Sequence, residues 1–60
     1  MTENEYVDVT NLAKLRAAKV ITNDVLPMCP EDEADLKIAL LALRRVEARI
    51  QERVESWRMT

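Results

Sequence analysis

The stretch that decides the fold is LKIALLALRRVEARIQERVESW, residues 36–57. It places large residues at alternating steps of four and three, which is typical of a helix that packs along another helix. The chain contains no glycine and this stretch no proline, so nothing interrupts the helix. The residues of this seam, which we predict to be an oligomer interface, are Leu36, Leu40, Leu43, Glu47, Ile50, Val54 and Trp57.

A shorter helix is predicted upstream, over about residues 9–26. Apolar residues recur there at three- and four-residue steps, and Asp8 or Thr10 can accept a hydrogen bond from a free amide of the first turn. Pro27 ends the helix, because proline has no amide hydrogen and disfavours the helical conformation of the residue before it. Residues 1–8 are predicted to form a loose N-terminal arm.

The second helix is predicted over about residues 30–58, after a turn at residues 27–30. Pro30 suits the first position of a helix, where its missing amide hydrogen costs nothing. The acidic run EDEAD at residues 31–35 lies at the positive end of the helix dipole, so we interpret its carboxylates as a helix start and not as a metal or acid-base site.

The predicted fold class is therefore all-α, a single helical hairpin over residues 1–60. At about 1.5 Å per residue, helix one spans roughly 27 Å and helix two roughly 42 Å. Folded back, helix one covers helix two only to about Glu47, which leaves Ile50, Val54 and Trp57 without a partner from their own chain. A row of uncovered apolar side chains usually marks an interface, so we expect a helical-bundle homo-oligomer.

A second apolar flank lies beside the seam on helix two. Ile38, Ala39, Leu41, Ala42 and Val46 make the first half of this helix too broadly apolar for contact with one helix alone. This breadth also favours a bundle of several helices.

Composition excludes several classes of function. The chain has no histidine for proton transfer near neutral pH, no glycine for a phosphate-binding loop and a single cysteine, Cys29. We therefore expect no enzyme activity, no metal site and no cofactor. We interpret Cys29 as a residue of the turn in preference to a nucleophile. The N-terminus lacks the pattern of a secretory signal and no apolar run could span a membrane, which predicts a cytoplasmic protein.

Charge is unevenly distributed, although the net charge is only −2. Residues 1–35 hold eight acidic and three basic residues, whereas residues 36–60 hold six basic and three acidic ones. This asymmetry favours antiparallel or head-to-tail pairing of subunits, and the net charge disfavours duplex nucleic acid as a partner. Glu47 occupies a seam position, where it either fixes the register by pairing with an arginine or reaches water at the rim of a bundle.

Two basic groups are candidate anion sites. Arg45, Arg49 and Arg53 form a ridge at four-residue steps, which could bind phosphate or be neutralised locally on a solvated face. Lys14, Arg16 and Lys19 form a cluster on helix one, downstream of Tyr6. An aromatic ring can stack on a base while the cations contact phosphate, although a tyrosine such as Tyr6 more often covers a helix end. The predicted ligand-binding residues are Tyr6, Lys14, Lys19, Arg45 and Arg49.

The turn and helix two resemble a known family. The segment from Leu26-Pro27 through the acidic helix start to LKIALLAL at residues 36–43, and on to Ala48 and Ile50, is similar to the helical hairpin of phage anti-CBASS and anti-Thoeris sponge proteins. The similarity covers roughly residues 12–53. Family members have a leucine-proline turn before a helix patterned Leu-x-Leu-x-x-Leu-Glu-Glu-Ala; here ALRR at residues 42–45 stands where the paired glutamates would lie.

This resemblance implies a helical oligomer that sequesters cyclic nucleotide signals of bacterial immunity in the cytoplasm of a bacterial host cell. It also implies a ligand pocket built from an N-terminal tyrosine and a helix-one lysine, for which Tyr6 and either Lys14 or Lys19 are the candidates. The alternative is a protein-interaction module, a small inhibitor or adaptor that covers a host protein with its apolar helix seam.

Overall fold

The computed structural model describes residues 1–59 and shows two antiparallel helices joined by a tight turn. Helix α1 covers Glu3–Val25 and helix α2 covers Glu33–Met59. Two single turns of 3-10 helix, Leu26–Met28 and Pro30–Asp32, connect them. Within residues 1–59 there is no strand, and the hairpin is a rod of 46 × 14 × 12 Å. The predicted all-α hairpin is confirmed.

Helix α1 begins six residues earlier than predicted, so residues 1–8 are not a loose arm. The Thr2 hydroxyl accepts a hydrogen bond from the amide of Glu5 at 3.1 Å and caps the helix, in place of the predicted Asp8 or Thr10. Glu3 and Glu5 add negative charge to the first turn, where the helix dipole favours it. The polar residues at the start of the chain are helical because the Thr2 cap satisfies a free amide of the first turn.

The longer α1 removes the predicted overhang of helix two. The two helices contain 23 and 27 residues, so at about 1.5 Å per residue their lengths differ by only about 6 Å. Ile50 and Val54 are 6% and 3% exposed and pack with Leu12 of α1. The expectation that Ile50, Val54 and Trp57 lack a partner from their own chain is therefore wrong.

The predicted interface seam is the contact surface between α1 and α2 of one chain. Every seam residue is buried or half-buried in the isolated hairpin: Leu36, Leu40, Leu43, Glu47, Ile50, Val54 and Trp57. The seven-residue repeat thus identified a helix-packing stripe correctly, but its partner is the other helix of the hairpin.

The core is small and lies towards the open end of the hairpin, where the start of α1 meets the end of α2. Leu12, Ile50 and Val54 form its buried cluster, with Val9, Leu15 and Val46 packed against it. Among the described residues near the turn, Leu40 is the one buried apolar side chain, and it is 7% exposed. The turn half of the hairpin therefore buries less apolar surface than the open half.

Candidate functional site

A polar cluster closes the open end of the hairpin. Asp8 is 8% exposed and occupies the α1 seam one turn before Leu12. Its carboxylate accepts hydrogen bonds from Arg53, with Nη2 3.1 Å from Oδ1, and from the Trp57 indole, with Nε1 2.9 Å from Oδ2. The Arg53 guanidinium, then the Trp57 hydrogen bond, lowers the pKa of Asp8 below its ordinary value of 3.8, although burial opposes this.

A second polar cluster crosses the seam at its middle. Glu47 accepts hydrogen bonds from Lys19 and from Arg16, whose Nε lies 3.2 Å from Oε2. The Lys19 hydrogen bond is the largest cause of a lowered pKa for Glu47. Arg16 also donates through Nη2 to Gln51 at 2.7 Å. Glu47 thus pairs with basic side chains, as one of its two interpretations required, but these belong to the same chain and not to a second subunit.

The two clusters set the alignment of the helices. Each places a charged α1 seam residue opposite a polar α2 residue, Asp8 with Arg53 and Lys19 with Glu47. A shift of one helix by a turn would bury these groups without partners, which costs more than the paired arrangement. We assign the clusters to the folding of the hairpin because their charges already satisfy one another.

A shallow groove runs between the helices on one side of the rod. Leu15, Ala18, Val46 and Ile50 provide an apolar floor, while Asn11 and Lys14 provide polar groups. Lys14 makes no ion pair with the other residues of the described chain. The groove could accept an apolar group with an anionic substituent beside Lys14.

The predicted ligand residues do not converge in one hairpin. Lys19 is occupied by Glu47, and Tyr6 is 62% exposed near the open end. The contact between Arg53 and Asp8 places these two residues side by side along the rod. Arg45 lies eight residues from Arg53 towards the turn, and Tyr6 lies two residues from Asp8 towards the open end. At about 1.5 Å per residue, Tyr6 and Arg45 are roughly 15 Å apart along the rod. Arg45 and Arg49 are exposed on α2.

The turn half of the hairpin exposes apolar side chains. Five large side chains near the turn are exposed, and we call them the turn-half surface: Val20 (60%), Ile21 (62%), Met28 (74%), Ile38 (67%) and Leu41 (47%). Ile38 and Leu41 belong to the second apolar flank that the sequence indicated. Ile38 and Leu41 lie three residues apart on α2 and are therefore neighbours, and neighbouring exposed apolar residues are typical of a surface that contacts another protein.

The sequence interpretation missed the pairing roles of Asp8, Arg16 and Arg53. A signal was present, because extending the three-and-four spacing of α1 backwards from Leu12 reaches Asp8 and then Glu5. Asp8 was interpreted as a cap, although a carboxylate on the seam requires a cationic partner from the opposite helix. Lys19 and Glu47, both on seams, carried the same signal.

Cys29 lies half-buried between the two 3-10 turns and has a free thiol. Among residues 1–59, no three potential metal ligands lie together, and no helix is long and apolar enough to cross a membrane. No protein-family model, curated protein or solved structure matches this chain.

Proposed function

We propose that this chain is a non-enzymatic binding protein that assembles with other helices through its turn-half surface. The single observation that supports this most directly is that Ile38 and Leu41, neighbours on α2 in the half of the hairpin with the smaller core, are 67% and 47% exposed. Covering them with a second protein removes apolar surface from water, which is favourable at about 25 cal/mol per Å². The assembly, and not a catalytic pocket, is the functional unit.

The size of the hairpin supports the same proposal. Within residues 1–59, the buried apolar side chains are Leu12, Leu40, Ile50 and Val54, and none of them is completely buried. A chain of about 60 residues with such a core is marginally stable unless oligomerisation, a metal or disulfides add to it. With one cysteine and no histidine, oligomerisation is the contribution that this sequence can supply.

The experiment compares two charged variants of the turn-half surface with a matched control. Ile38→Glu and Leu41→Glu place a charge on the surface, while Ala48→Glu adds the same charge to another exposed position of α2. Light scattering after gel filtration measures mass, and circular dichroism checks helix content. We expect a discrete oligomer for wild type and Ala48→Glu, and a smaller particle of equal helicity for the other two.

A second candidate function is sequestration of a small anionic ligand, and the specific ligand we propose is a cyclic oligonucleotide of bacterial immunity. The observation that favours it is that Lys14, Arg45 and Arg49 form no ion pairs within residues 1–59, so their charges are available to phosphates. Since Tyr6 and Arg45 are separated along the rod, a complete pocket must combine residues of neighbouring hairpins. This would make the protein a phage anti-defence sponge in the bacterial cytoplasm.

Titration calorimetry against a panel of cyclic di- and trinucleotides tests this second candidate. Lys14→Ala removes an unpaired cation at the groove, and Lys37→Ala is the control because Lys37 already pairs with Glu33 at 2.8 Å. We expect binding heat for wild type and Lys37→Ala, and weaker binding for Lys14→Ala. Absence of heat with every nucleotide would rule out sequestration of these ligands.

The rival to self-assembly is an inhibitor or adaptor that covers a host protein with the same turn-half surface. Under this alternative the free protein is a monomer, and one host protein is recovered by wild type and Ala48→Glu but not by Ile38→Glu. A monomer that recovers no protein in this way would contradict the proposal that the surface binds other helices.

A further inference from the structure

We propose that Ile38 of the turn-half surface, with the helix face on which it lies, is covered by a second copy of this chain, whose α2 lies antiparallel to the first along one stripe of residues. This inference rests on the proposed assembly function and specifies its partner, orientation and register. The stripe, which we call the α2 stripe, follows a three-and-four spacing through Asp35, Ile38, Ala42, Arg45 and Arg49.

The α2 stripe is a free helix face in the isolated hairpin. All five of its residues are exposed, and they lie on the face of α2 that points away from the seam. Neither Asp35 nor Arg45 takes part in an ion pair or side-chain hydrogen bond among the described residues. Residues three and four apart lie next to one another on a helix, so the stripe offers one continuous surface.

The order of residues along the α2 stripe makes it complementary to itself. If two copies run antiparallel with Ile38 of each opposite Ala42 of the other, Asp35, three residues before Ile38, faces Arg45, three residues after Ala42. A twofold axis repeats each contact, which is the usual symmetry of a homodimer. The large side chain of Ile38 packs over the small side chain of Ala42, which allows the two helices to approach closely.

The same register continues beyond these four residues. Glu31 lies four residues before Asp35, in the 3-10 turn that precedes α2, and Arg49 lies four residues after Arg45, so the acidic segment at the start of α2 is on the side of the arginines of the second copy. In the parallel orientation, Asp35 would face Asp35 and Arg45 would face Arg45. Because like charges repel and opposite charges attract, the charge pattern selects the antiparallel pair.

This complementarity is what favours a second copy over an unrelated helix. A foreign partner would have to carry a basic end and an acidic end at the same distances from a small apolar centre, whereas this chain carries both on one helix face. The α2 stripe also includes Ile38 and so covers part of the turn-half surface.

A charge-swap experiment on the full chain tests this register. Asp35→Arg and Arg45→Asp each place like charges opposite one another at two symmetric positions, while the double variant restores opposite charges with reversed polarity. Asp24→Arg makes the same charge change at an exposed acid of α1 outside the stripe. Sedimentation equilibrium over a range of protein concentrations measures the dimer dissociation constant at low and at physiological salt.

We expect each single swap to weaken dimerisation by about tenfold or more at low salt, and the double swap to restore it to within about threefold of wild type. The Asp24→Arg control should dimerise like wild type. Circular dichroism on each variant separates loss of dimer from loss of fold, and in any variant that unfolds, Arg45→Ala replaces the swap and should give a smaller loss of the same sign.

Two results would overturn the inference, and they differ from failure of the proposed function. A wild-type protein that stays monomeric at all concentrations but binds a host protein through Ile38 excludes the second copy while keeping the binding function. An oligomer that neither single swap weakens excludes this register while keeping self-assembly.

Discussion

Asp8 stabilises the open end of the hairpin. Its carboxylate holds both Arg53 and Trp57, two residues one turn apart on α2. A single side chain therefore attaches the second turn of α1 to the last two turns of α2. The polar N-terminal residues are helical because this attachment, together with the Thr2 cap, compensates for their lack of apolar contacts.

Replacing Asp8 by alanine should loosen the open end. The variant leaves the Arg53 guanidinium without its carboxylate and removes one hydrogen bond of the Trp57 indole, so we expect the thermal midpoint to fall by roughly 5 °C. Trp57 is the only tryptophan in the chain, and its emission should shift to longer wavelength as water reaches the ring. Glu3→Ala, an exposed acid of the same helix, is the control, and equal changes in both variants would contradict a special role for Asp8.

Acid should destabilise the hairpin through Asp8 and Glu47. Both carboxyl groups have a lowered pKa in the folded state, so between that pKa and the ordinary values of 3.8 and 4.5 the unfolded chain binds more protons than the folded one. The stability that these two carboxylates contribute is therefore complete at pH values above their ordinary pKa values. It is lost as the pH falls through their pKa values in the folded state.

Guanidinium unfolding at pH values from 7 to 3, at one protein concentration, measures this dependence. We expect an almost constant free energy of unfolding above about pH 5 and a decline below it. The double variant Asp8→Asn, Glu47→Gln should be less stable at pH 7 and lose less on acidification. The double variant Glu3→Gln, Glu52→Gln should keep the wild-type slope; if both double variants keep it, other carboxyl groups cause the decline.

At the scale of the helices, the turn and the seam of α2 could be predicted from sequence, but the partner of the seam could not. Pro27 and Pro30 mark the turn, and a seven-residue repeat requires a facing helix wherever that helix comes from. The α2 seam is covered by α1 of the same chain because α1 begins early, at Glu3. That early start depends on the Thr2 cap and on the hydrogen bonds that Asp8 makes with α2. Those bonds join residues 45 and 49 positions apart, and local spacing along one helix does not report such pairs.

The candidate site could likewise be predicted only in part from the sequence. The apolar flank with Ile38 and Leu41 was visible in the sequence, because its width exceeds what one facing helix can cover. Which basic residues are available was not visible, since Lys14 and Lys19 look alike in sequence. The packing of the helices places Lys19 against Glu47 and leaves Lys14 beside the groove.

The capping role of Thr2 gives a test of where α1 begins. Thr2→Ala should destabilise the hairpin by about 1 kcal/mol, because it removes the acceptor for the Glu5 amide. Thr10→Ala is the matched control, since Thr10 lies inside the helix and alanine has the higher helix propensity. Urea unfolding monitored by circular dichroism measures both. A larger loss for Thr10→Ala would instead place the helix start near residue 10.

Two isoleucines of α2 separate the hairpin core from the proposed interface. Ile50→Ala removes a side chain that is 6% exposed and should cost about 2 to 5 kcal/mol, whereas Ile38 is 67% exposed and Ile38→Ala should cost less than about 0.5 kcal/mol in the monomer. Unfolding at dilute and at high protein concentration measures both. We expect Ile38→Ala to lower the free energy of unfolding only at high protein concentration. A large decrease in the dilute protein would show that Ile38 is part of the monomer core.

At the scale of the whole molecule, charge is arranged in three layers along the rod. Residues 24–37, at the turn, carry five acids and one base, and the middle layer, residues 14–19 and 44–49, carries six bases and one acid. Towards the open end the chain is acidic again. An antiparallel pair brings the acidic turn of each copy beside the basic middle of the other, which agrees with the contacts proposed for Asp35 and Arg45.

Small-angle X-ray scattering should detect this arrangement through the length of the particle. With Ile38 opposite Ala42, the twofold axis lies near residue 40, about 7 Å from the middle of the 46 Å rod, so the pair should be about 60 Å long and roughly twice as thick as one hairpin. A head-to-tail pair of the same mass would approach 90 Å. Ile38→Glu at the same concentration supplies the monomer curve. A length near 90 Å would show that the hairpins meet through their ends, and the α2 stripe would then be free in the oligomer.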